Sequence, residues 1–454
     1  MKKLIVFCLL VAMVLGLCAC ADKGDPNGLH IGYSKVNITP DFLVGLGGYD
    51  NPELRKNTNG VDEDIYLTCI AAKEGDETIL FFTMDTIRMH KERADIFREV
   101  ITPATGVPGD KIFFGATHSH YCPVDDAYDE FVKNLFVQAA KEAIADLTPS
   151  TIYAASTQAE KMSFNRHYIM SDGSYAGSNF GDWTLGIEGH AGEADQELQV
   201  VKFDRIGKDT KDVVLVNFQA HNVHNIDMNS ISPGHAGALR DELESLSGCH
   251  VAYFTGASGN LSPSSKIKVL SHGLGDWHNY GKRLGEIAWD AMQNMEAVGG
   301  SGIVTSTTMT IVEVDHDWDD TLPEAEHAKQ MNDTLGGQAG NAFAVSYGFN
   351  SNHHANTVVI RAGMGETDEL YQGAFRIHDL AFAVATYEMF SENGVTIKEQ
   401  SPYKYTLIFS GNRSYIPSIG TFSYQSYEGD VTYYVAGTAE QLQEEFIDLL
   451  KGLQ

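Results

Sequence analysis

Residues 111–120 read Lys-Ile-Phe-Phe-Gly-Ala-Thr-His-Ser-His. Lys111–Ala116 is an apolar run too short for a buried helix, so it predicts a buried strand. It runs straight into His118 and His120. Residues two apart on an extended chain share a face, so both imidazoles are expected to point into one cleft. Three further runs have the same form: Thr78–Asp85, Val213–Phe218 and Val251–Thr255. They end in Asp85, in Gln219-Ala220-His221-Asn222-Val223-His224, and in Gly256-Ala257-Ser258. Sheets of α/β proteins carry their chemistry at such strand ends, because rigid strands hold the loops that follow.

Amphipathic helices are expected between these strands. Asp129–Leu147 places Val132, Leu135, Phe136, Ala139, Ala143 and Leu147 on one face. Gly237–Leu246, Tyr280–Met295 and Thr438–Leu453 repeat the pattern. After Gly299-Gly300-Ser301-Gly302, the alternation in Ile303–Val314 predicts a strand of a second sheet. The glycine-rich stretch Thr334–Asn341 reads as a loop. The alternation as a whole predicts an α/β (α+β) fold, mixed β-sheets flanked by helices in one large domain over residues 29–454. No repeat of 20–50 residues interrupts it.

Composition narrows the function. The 454 residues are 43% hydrophobic and 20% charged, which excludes a disordered, collagenous or coiled-coil chain. Acidic residues number 61 against 32 Lys and Arg, a formal charge of -29. Such a surface lacks the basic footprint of a nucleic-acid binder, and charge would not draw it to anionic lipid.

The N-terminus reads as a targeting segment. Lys2 and Lys3 precede the apolar stretch Leu4–Leu17, too short to span a bilayer comfortably. Leu17-Cys18-Ala19-Cys20 resembles a bacterial lipobox. The expectation is a signal peptide over residues 1–19, a lipid on Cys20, a polar tether over 20–28, and a lipid-anchored place in the extracytoplasmic cell envelope. A plain secretory signal is the other reading. Only Cys69, Cys122 and Cys249 remain in the body, with no Cys-x-x-Cys pair, so a metal would rest on His and carboxylate.

His-x-His is a common half-site for zinc, and His221 gives a second histidine at a strand end. A hydrogen-bonded polar cluster without metal fits the same residues. In Gly256-Ala257-Ser258-Gly259-Asn260-Leu261-Ser262-Pro263, small residues would let backbone N–H groups approach an oxyanion. The alternative is a glycine-rich turn without chemistry.

These residues resemble a family. Thr117-His118-Ser119-His120 with Pro123 is similar to the Thr-His-Thr-His-Ser-Gly-Pro motif of neutral/alkaline ceramidases. The similarity continues in order through Val36-Asn37-Ile38-Thr39-Pro40, Gly47-Gly48-Tyr49, Asn165-Arg166, His221 and Gly259-Asn260-Leu261-Ser262-Pro263. Tyr387-Glu388-Met389-Phe390, Ser414-Tyr415-Ile416-Pro417 and Tyr427-Glu428-Gly429 complete it. The resemblance implies a zinc ion (Zn2+) held by His118, His221, Glu388 and Tyr415. The set suits zinc, with tyrosine the unusual member, since its phenol must fall well below its ordinary pKa of about 10. It further implies a reactive Ser262, substrate contacts from His120 and Arg166, and an active-site Tyr427. The implied reaction is hydrolysis of an N-acyl amide, a ceramide-like sphingolipid giving sphingoid base and fatty acid, or of a related amide or ester.

The chain departs from the family pattern at Tyr121-Cys122, Thr386-Tyr387 and Ser232-Pro233-Gly234, and the family's C-terminal immunoglobulin-like domain is expected to be missing. These departures bear on the substrate more than on the metal. A catalytically silent surface lipoprotein, binding a ligand in the same cleft, is the competing function class.

Overall fold

The computed structural model describes residues 28–49, 55–178, 180–207, 210–224 and 227–454. The expected signal peptide, Cys20 and nearly all of the tether lie outside them. The apolar runs do form strands. In chain order the long ones are β1 (His30–Asn37), β2 (Tyr66–Glu74), β3 (Glu77–Met84), β4 (Ile112–Ala116), β5 (Thr148–Gln158), β6 (Glu197–Arg205), β7 (Val213–Phe218) and β8 (His250–Thr255). They join in the order β8-β7-β6-β5-β1-β2-β3-β4. The pairs β3/β4 and β7/β8 are parallel and the others antiparallel, so the sheet is mixed. β1 and β5 meet only at His30↔Pro149 and Ile31↔Thr148. This short contact joins the half of the sheet made of β1–β4 to the half made of β5–β8.

A second sheet follows the glycine-rich boundary as expected: β9 (Ile303–Glu313), β10 (Thr367–Ile377), β11 (Leu380–Ala385) and β12 (Tyr405–Phe409), in that order. It lies against the first through a shared apolar layer that includes Phe81, Phe113, Phe254, Phe375, Phe382 and Phe409. Phe254 and Phe409 stack with ring centroids 3.9 Å apart. Each such ring, fully buried, contributes about 1.5–3 kcal/mol of transfer free energy.

Helices close the outer faces. α1 (Lys91–Thr105) and α2 (Asp126–Ala145) bury Phe97, Ile101, Val132 and Phe136 on one half of the first sheet. α2 starts three residues before the sequence expectation because Asp125 caps it, accepting from Tyr128 N–H at 2.9 Å. α3 (His235–Ser247) and α4 (Trp277–Met292) cover the other half through Leu239, Leu243, Tyr280 and Leu284. α5 (Leu322–Leu335), α6 (Gly337–Ser346) and α7 (Asn352–Ala362) pack around Ala325, Ala328, Ala344 and Val358. α8 (Ser391–Gln400) and α9 (Thr438–Gly452) back the second sheet.

The expected loop at Thr334–Asn341 is a correction. Residues 334–335 end α5 and residues 337–341 begin α6. Only Gly336 and Gly337, both at positive φ, break the path. The alanines that follow favour helix, and Gly340 lies against Asn332, where a Cβ would come within 2.2 Å of its side chain.

A buried ion pair ties the first sheet to α3. Arg240 donates from both terminal nitrogens to Asp85, at 2.8 and 2.7 Å, and Asp85 also accepts from Tyr66 N–H at 2.8 Å. The polar end of the Thr78–Asp85 run is therefore a clamp.

Candidate metal centre

Five strand ends meet at one place. β4 leads to His118, β7 to His221, β8 to Ser258, β11 to Glu388 and β12 to Tyr415. The two chain segments after β11 and β12 pair in parallel, Glu388↔Tyr415 and Met389↔Ile416.

His118 reaches the centre by a route the alternation rule did not foresee. The strand ends at Ala116, and His118 has φ +56°, in the left-handed region that a residue with a Cβ enters only at a cost. Local hydrogen bonds hold it there. Ser119 Oγ donates to Ser232 O at 2.7 Å, and Asn222 Nδ2 donates to Thr117 O at 3.2 Å and Pro233 O at 2.9 Å. His120 still comes to the same cluster, its ring centroid 5.2 Å from that of His118 and 5.1 Å from that of His221. Its ring lies on Gly48, where a Cβ would come within 2.5 Å of the imidazole; with φ +110° as well, this position needs glycine.

His118, His120 and His221 are all buried and form one group able to hold a metal ion. His118 Nε2 and His221 Nε2 are 3.0 Å apart. His221 Nδ1 lies 3.1 Å from Ser258 O, which can only accept, so that nitrogen carries the proton. The Ile87 backbone carbonyl takes the same part for His118. Burial also holds the His118 pKa down, to about 3, and that of His221 well below 6.5, so both rings are neutral at pH 7. Two neutral rings with both protons used elsewhere turn lone pairs toward each other. A cation between them relieves that repulsion. Two nitrogens each about 2.0–2.1 Å from one zinc stand roughly 3.0–3.4 Å apart, which fits the observed spacing.

Glu388 completes the case. Its Oε2 is buried, makes no hydrogen bond, and lies 3.8 Å from His118 Nε2. Its Oε1 accepts from Asn412 Nδ2. Burial pushes the carboxyl up to about 8, against the opposing pull of Arg166. A buried carboxyl oxygen with no hydrogen-bond partner, facing a lone-pair-bearing imidazole, is what a cation site without its charge looks like. The donor set therefore fits a zinc ion. Tyr415 is half-buried beside Glu388, and burial, then the Glu388 charge, push its phenol well above 10. The Tyr427 ring is 5.9 Å from that of Tyr415. Glu388, Tyr415 and Tyr427 line a cavity of about 180 Å3 together with Asn412 and with His353 of α7.

Arg166 sits against the same wall, its guanidinium carbon 5.4 Å from the Tyr415 ring centre. Its Nε and Nη2 both lie 2.6 Å from Glu428 Oε1. Glu428 Oε2 in turn faces His167 Nε2 at 2.6 Å, and His167 Nδ1 lies 2.8 Å from Tyr424 OH. Burial works against the Glu428 charge, but Arg166 and His167 hold the carboxyl down, to about 2. Ser262 stands in a short ladder, Leu261↔Asn165 and Ser262↔Phe164, that ties its loop to the segment bearing Arg166. Ser262 Oγ accepts from Ser264 N–H at 3.3 Å.

The structure thus groups His118, His120, His221, Glu388 and Tyr415, with Arg166 and Tyr427 beside them. His224 goes elsewhere: its Nε2 is 2.9 Å from His235 Nδ1, and its ring packs on Tyr280. Asn412, His167 and Glu428 were not singled out from sequence. Glu428 is the centre of Tyr427-Glu428-Gly429, an element already noticed, and His167 directly follows another, Asn165-Arg166.

Comparison with known proteins agrees at the level of fold. No protein-family model and no curated protein matches the chain. Among solved structures it matches neutral ceramidase from Pseudomonas aeruginosa, with TM-score 0.70 over 94% of this chain and 75% of that one, at 19% identity. A structure of a ceramidase complexed with C2 matches with TM-score 0.68, over the same shares and at 18% identity. This chain therefore has the neutral ceramidase fold.

Proposed function

We propose that this chain is a zinc-dependent hydrolase of N-acyl amides, with a ceramide-like sphingolipid as the leading substrate and other lipid-like N-acyl compounds next. The observation that carries the reading is the facing pair His118 Nε2 and His221 Nε2, 3.0 Å apart, with the donorless Glu388 Oε2 beside them. The likeness of fold to neutral ceramidase supports the choice of reaction.

In this reading His118, His221, Glu388 and Tyr415 hold the ion. A bound zinc supplies Lewis acidity and makes water nucleophilic at neutral pH. The protein's own residues do the rest. Arg166 is kept charged by Glu428 and stabilises the negative charge that grows on the amide oxygen, with the Tyr427 hydroxyl as a second donor. His120 is neutral, since burial, then the neighbouring His118 and Arg166, hold its pKa well below 6.5. Once it has taken a proton it is a strong acid, suited to passing that proton to the leaving amine. Ser262 acts on the substrate carbonyl, by attack or by orientation.

The test is metal analysis of the purified protein with hydrolysis of a panel of N-acyl substrates. One zinc per chain is expected, and His118→Ala or His221→Ala should lose metal and turnover together. A protein without stoichiometric zinc, whose activity ignores chelators, would sink the reading. For location we propose lipid attachment at Cys20 and a place on the outer side of a cell-envelope membrane. Mass spectrometry should find a diacylglyceryl group on Cys20; an unmodified terminus on protein free in the medium refutes it.

A further inference from the structure

We propose that Glu428 and His167 are positioning residues of the reaction, holding the Arg166 guanidinium in one orientation toward the metal centre through a buried relay that ends at Tyr424. The proposal rests on the reading above in one respect, that Arg166 meets the substrate.

The geometry is that of a fixed mount. An arginine side chain has several rotatable bonds, and a guanidinium that must meet a developing charge loses much of its effect when displaced by about 1 Å. Here the side chain is 11% exposed, Nε donates to Glu428 Oε1 at 2.6 Å, and Nη2 stands 2.6 Å from the same oxygen as an ion-pair contact without hydrogen-bond geometry. That oxygen would fix little if its own carboxylate could turn. It cannot turn freely, because the other oxygen is held by His167 Nε2 at 2.6 Å. A carboxylate oxygen only accepts, so this nitrogen carries the proton and donates. The imidazole is held in its turn at Nδ1 by Tyr424 OH, 2.8 Å away. Tyr424 stacks on Tyr175, centroids 4.0 Å apart and planes 6° apart, which fixes the last member.

Two features show that the relay is aimed at the site and is not only a structural tie. Glu428 is fully buried, where an ionised carboxylate is costly unless it is paired, and the cation it pairs with is the one facing Tyr415. The members also come from two distant parts of the chain. Arg166 and His167 follow the short strand Phe164–Asn165, which pairs with the Ser262 segment. Tyr424 and Glu428 flank Tyr427, which faces the cavity beside Glu388. The relay thereby fixes the Ser262 side of the site relative to the Tyr427 side.

The experiment uses the full-length, metal-loaded protein and the double-mutant cycle of Glu428→Gln with Arg166→Ala. Glu428→Gln keeps the shape and removes the charge. It should lower kcat by tenfold or more with KM changed much less, and add little further loss in the Arg166→Ala background. Tyr424→Phe keeps the stack and removes only the hydroxyl, and should give a smaller loss of the same kind. Glu428→Asp should recover part of the Glu428→Gln loss. A second readout does not depend on turnover. In protein labelled with 15N-arginine, the Arg166 signals, assigned by their loss in Arg166→Lys, should show slow guanidinium rotation in the wild type. They should show fast rotation in Glu428→Gln. Losses that multiply in the double variant, or an Arg166 guanidinium equally restrained without the Glu428 charge, overturn the proposal. An inactive wild-type protein would count against the hydrolase reading alone, and the rotation measurement would then decide this one.

Discussion

Metal binding at this centre should release protons, the one on Glu388 among them. In the metal-free protein the Glu388 carboxyl has a pKa of about 8, raised by burial. A ligand carboxylate must be ionised, so binding expels whatever proton Glu388 holds. From that pKa the expected release is about 0.9 proton at pH 7, about 0.5 at pH 8 and about 0.1 at pH 9. The histidines add nothing in this range, because burial keeps His118 neutral down to about pH 3 and His221 far below 6.5. Tyr415 makes the test sharper. Its phenol is held well above 10, so if it ligates it gives up a whole proton at every pH from 7 to 9. The share of these two ligands then becomes about 1.9 at pH 7 and about 1.1 at pH 9, to which a metal-bound water ionising near neutral pH adds its own. The assay is titration calorimetry of zinc into chelator-stripped protein, in buffers of different ionisation enthalpy. The slope of apparent enthalpy against buffer enthalpy is the number of protons released. Glu388→Gln should lower the release by the Glu388 share, about 0.9 at pH 7 and about 0.1 at pH 9, while any share from Tyr415 or from a metal-bound water remains. A difference between wild type and Glu388→Gln that is absent, or that is the same at pH 7 and pH 9, would refute the assignment of Glu388 as a ligand ionised by binding.

Three other outcomes are expected. Ser262→Ala should keep its zinc while kcat on the true substrate falls roughly a hundredfold or more, the order seen for loss of one transition-state group; near-normal turnover in that variant removes Ser262 from the mechanism. Asp85→Asn leaves the buried Arg240 charge without its partner and should cost about 3–5 kcal/mol of stability, measured from the urea midpoint; a cost below about 1 kcal/mol would show that the pair is solvated in solution. The metal-free protein should weaken in acid. Burial holds His118, His120, His221, His224 and His235 neutral below their ordinary pKa, so the stability they give is complete above about pH 6.5 and is lost as pH falls toward 3. Glu388, Asp430 and Glu63, whose pKa values burial raises, work in the opposite direction but are outnumbered by the five histidines. The unfolding free energy from urea titration in chelator should therefore fall from pH 7 to 5 by more than the roughly 1.4 kcal/mol per pH unit of a single histidine; a flat profile contradicts it.

What could be read from the sequence follows from how local each feature is. A buried strand announces itself in five to eight apolar residues, so the ends that carry His118, His221 and the Gly256–Pro263 loop were visible. So was the second sheet, from the alternation after Gly302. Their convergence was not visible, because it depends on how the two halves of the sheet join at β1 and β5, a meeting of two residue pairs more than a hundred positions apart. His118 and His120 were brought together by reasoning from an extended strand, yet His118 adopts a left-handed backbone held by Asn222 and Ser232, which no local pattern encodes. Glu388 and Tyr415 entered only through resemblance; their own surroundings read as a helix carboxylate and a strand aromatic. The structure gives them a physical reason: a two-residue parallel pairing sets their backbones side by side, and burial leaves one Glu388 oxygen without a donor. The same logic explains why Glu428 was passed over. Its neighbour Tyr427 carries the more conspicuous chemistry, and the value of Glu428 lies in Arg166 and His167, 262 and 261 positions away. A buried carboxylate shows its purpose only beside the cation it holds. For this chain the strand ends therefore mark where the candidate site lies, and the long-range pairs between them tell how its charges are kept in place.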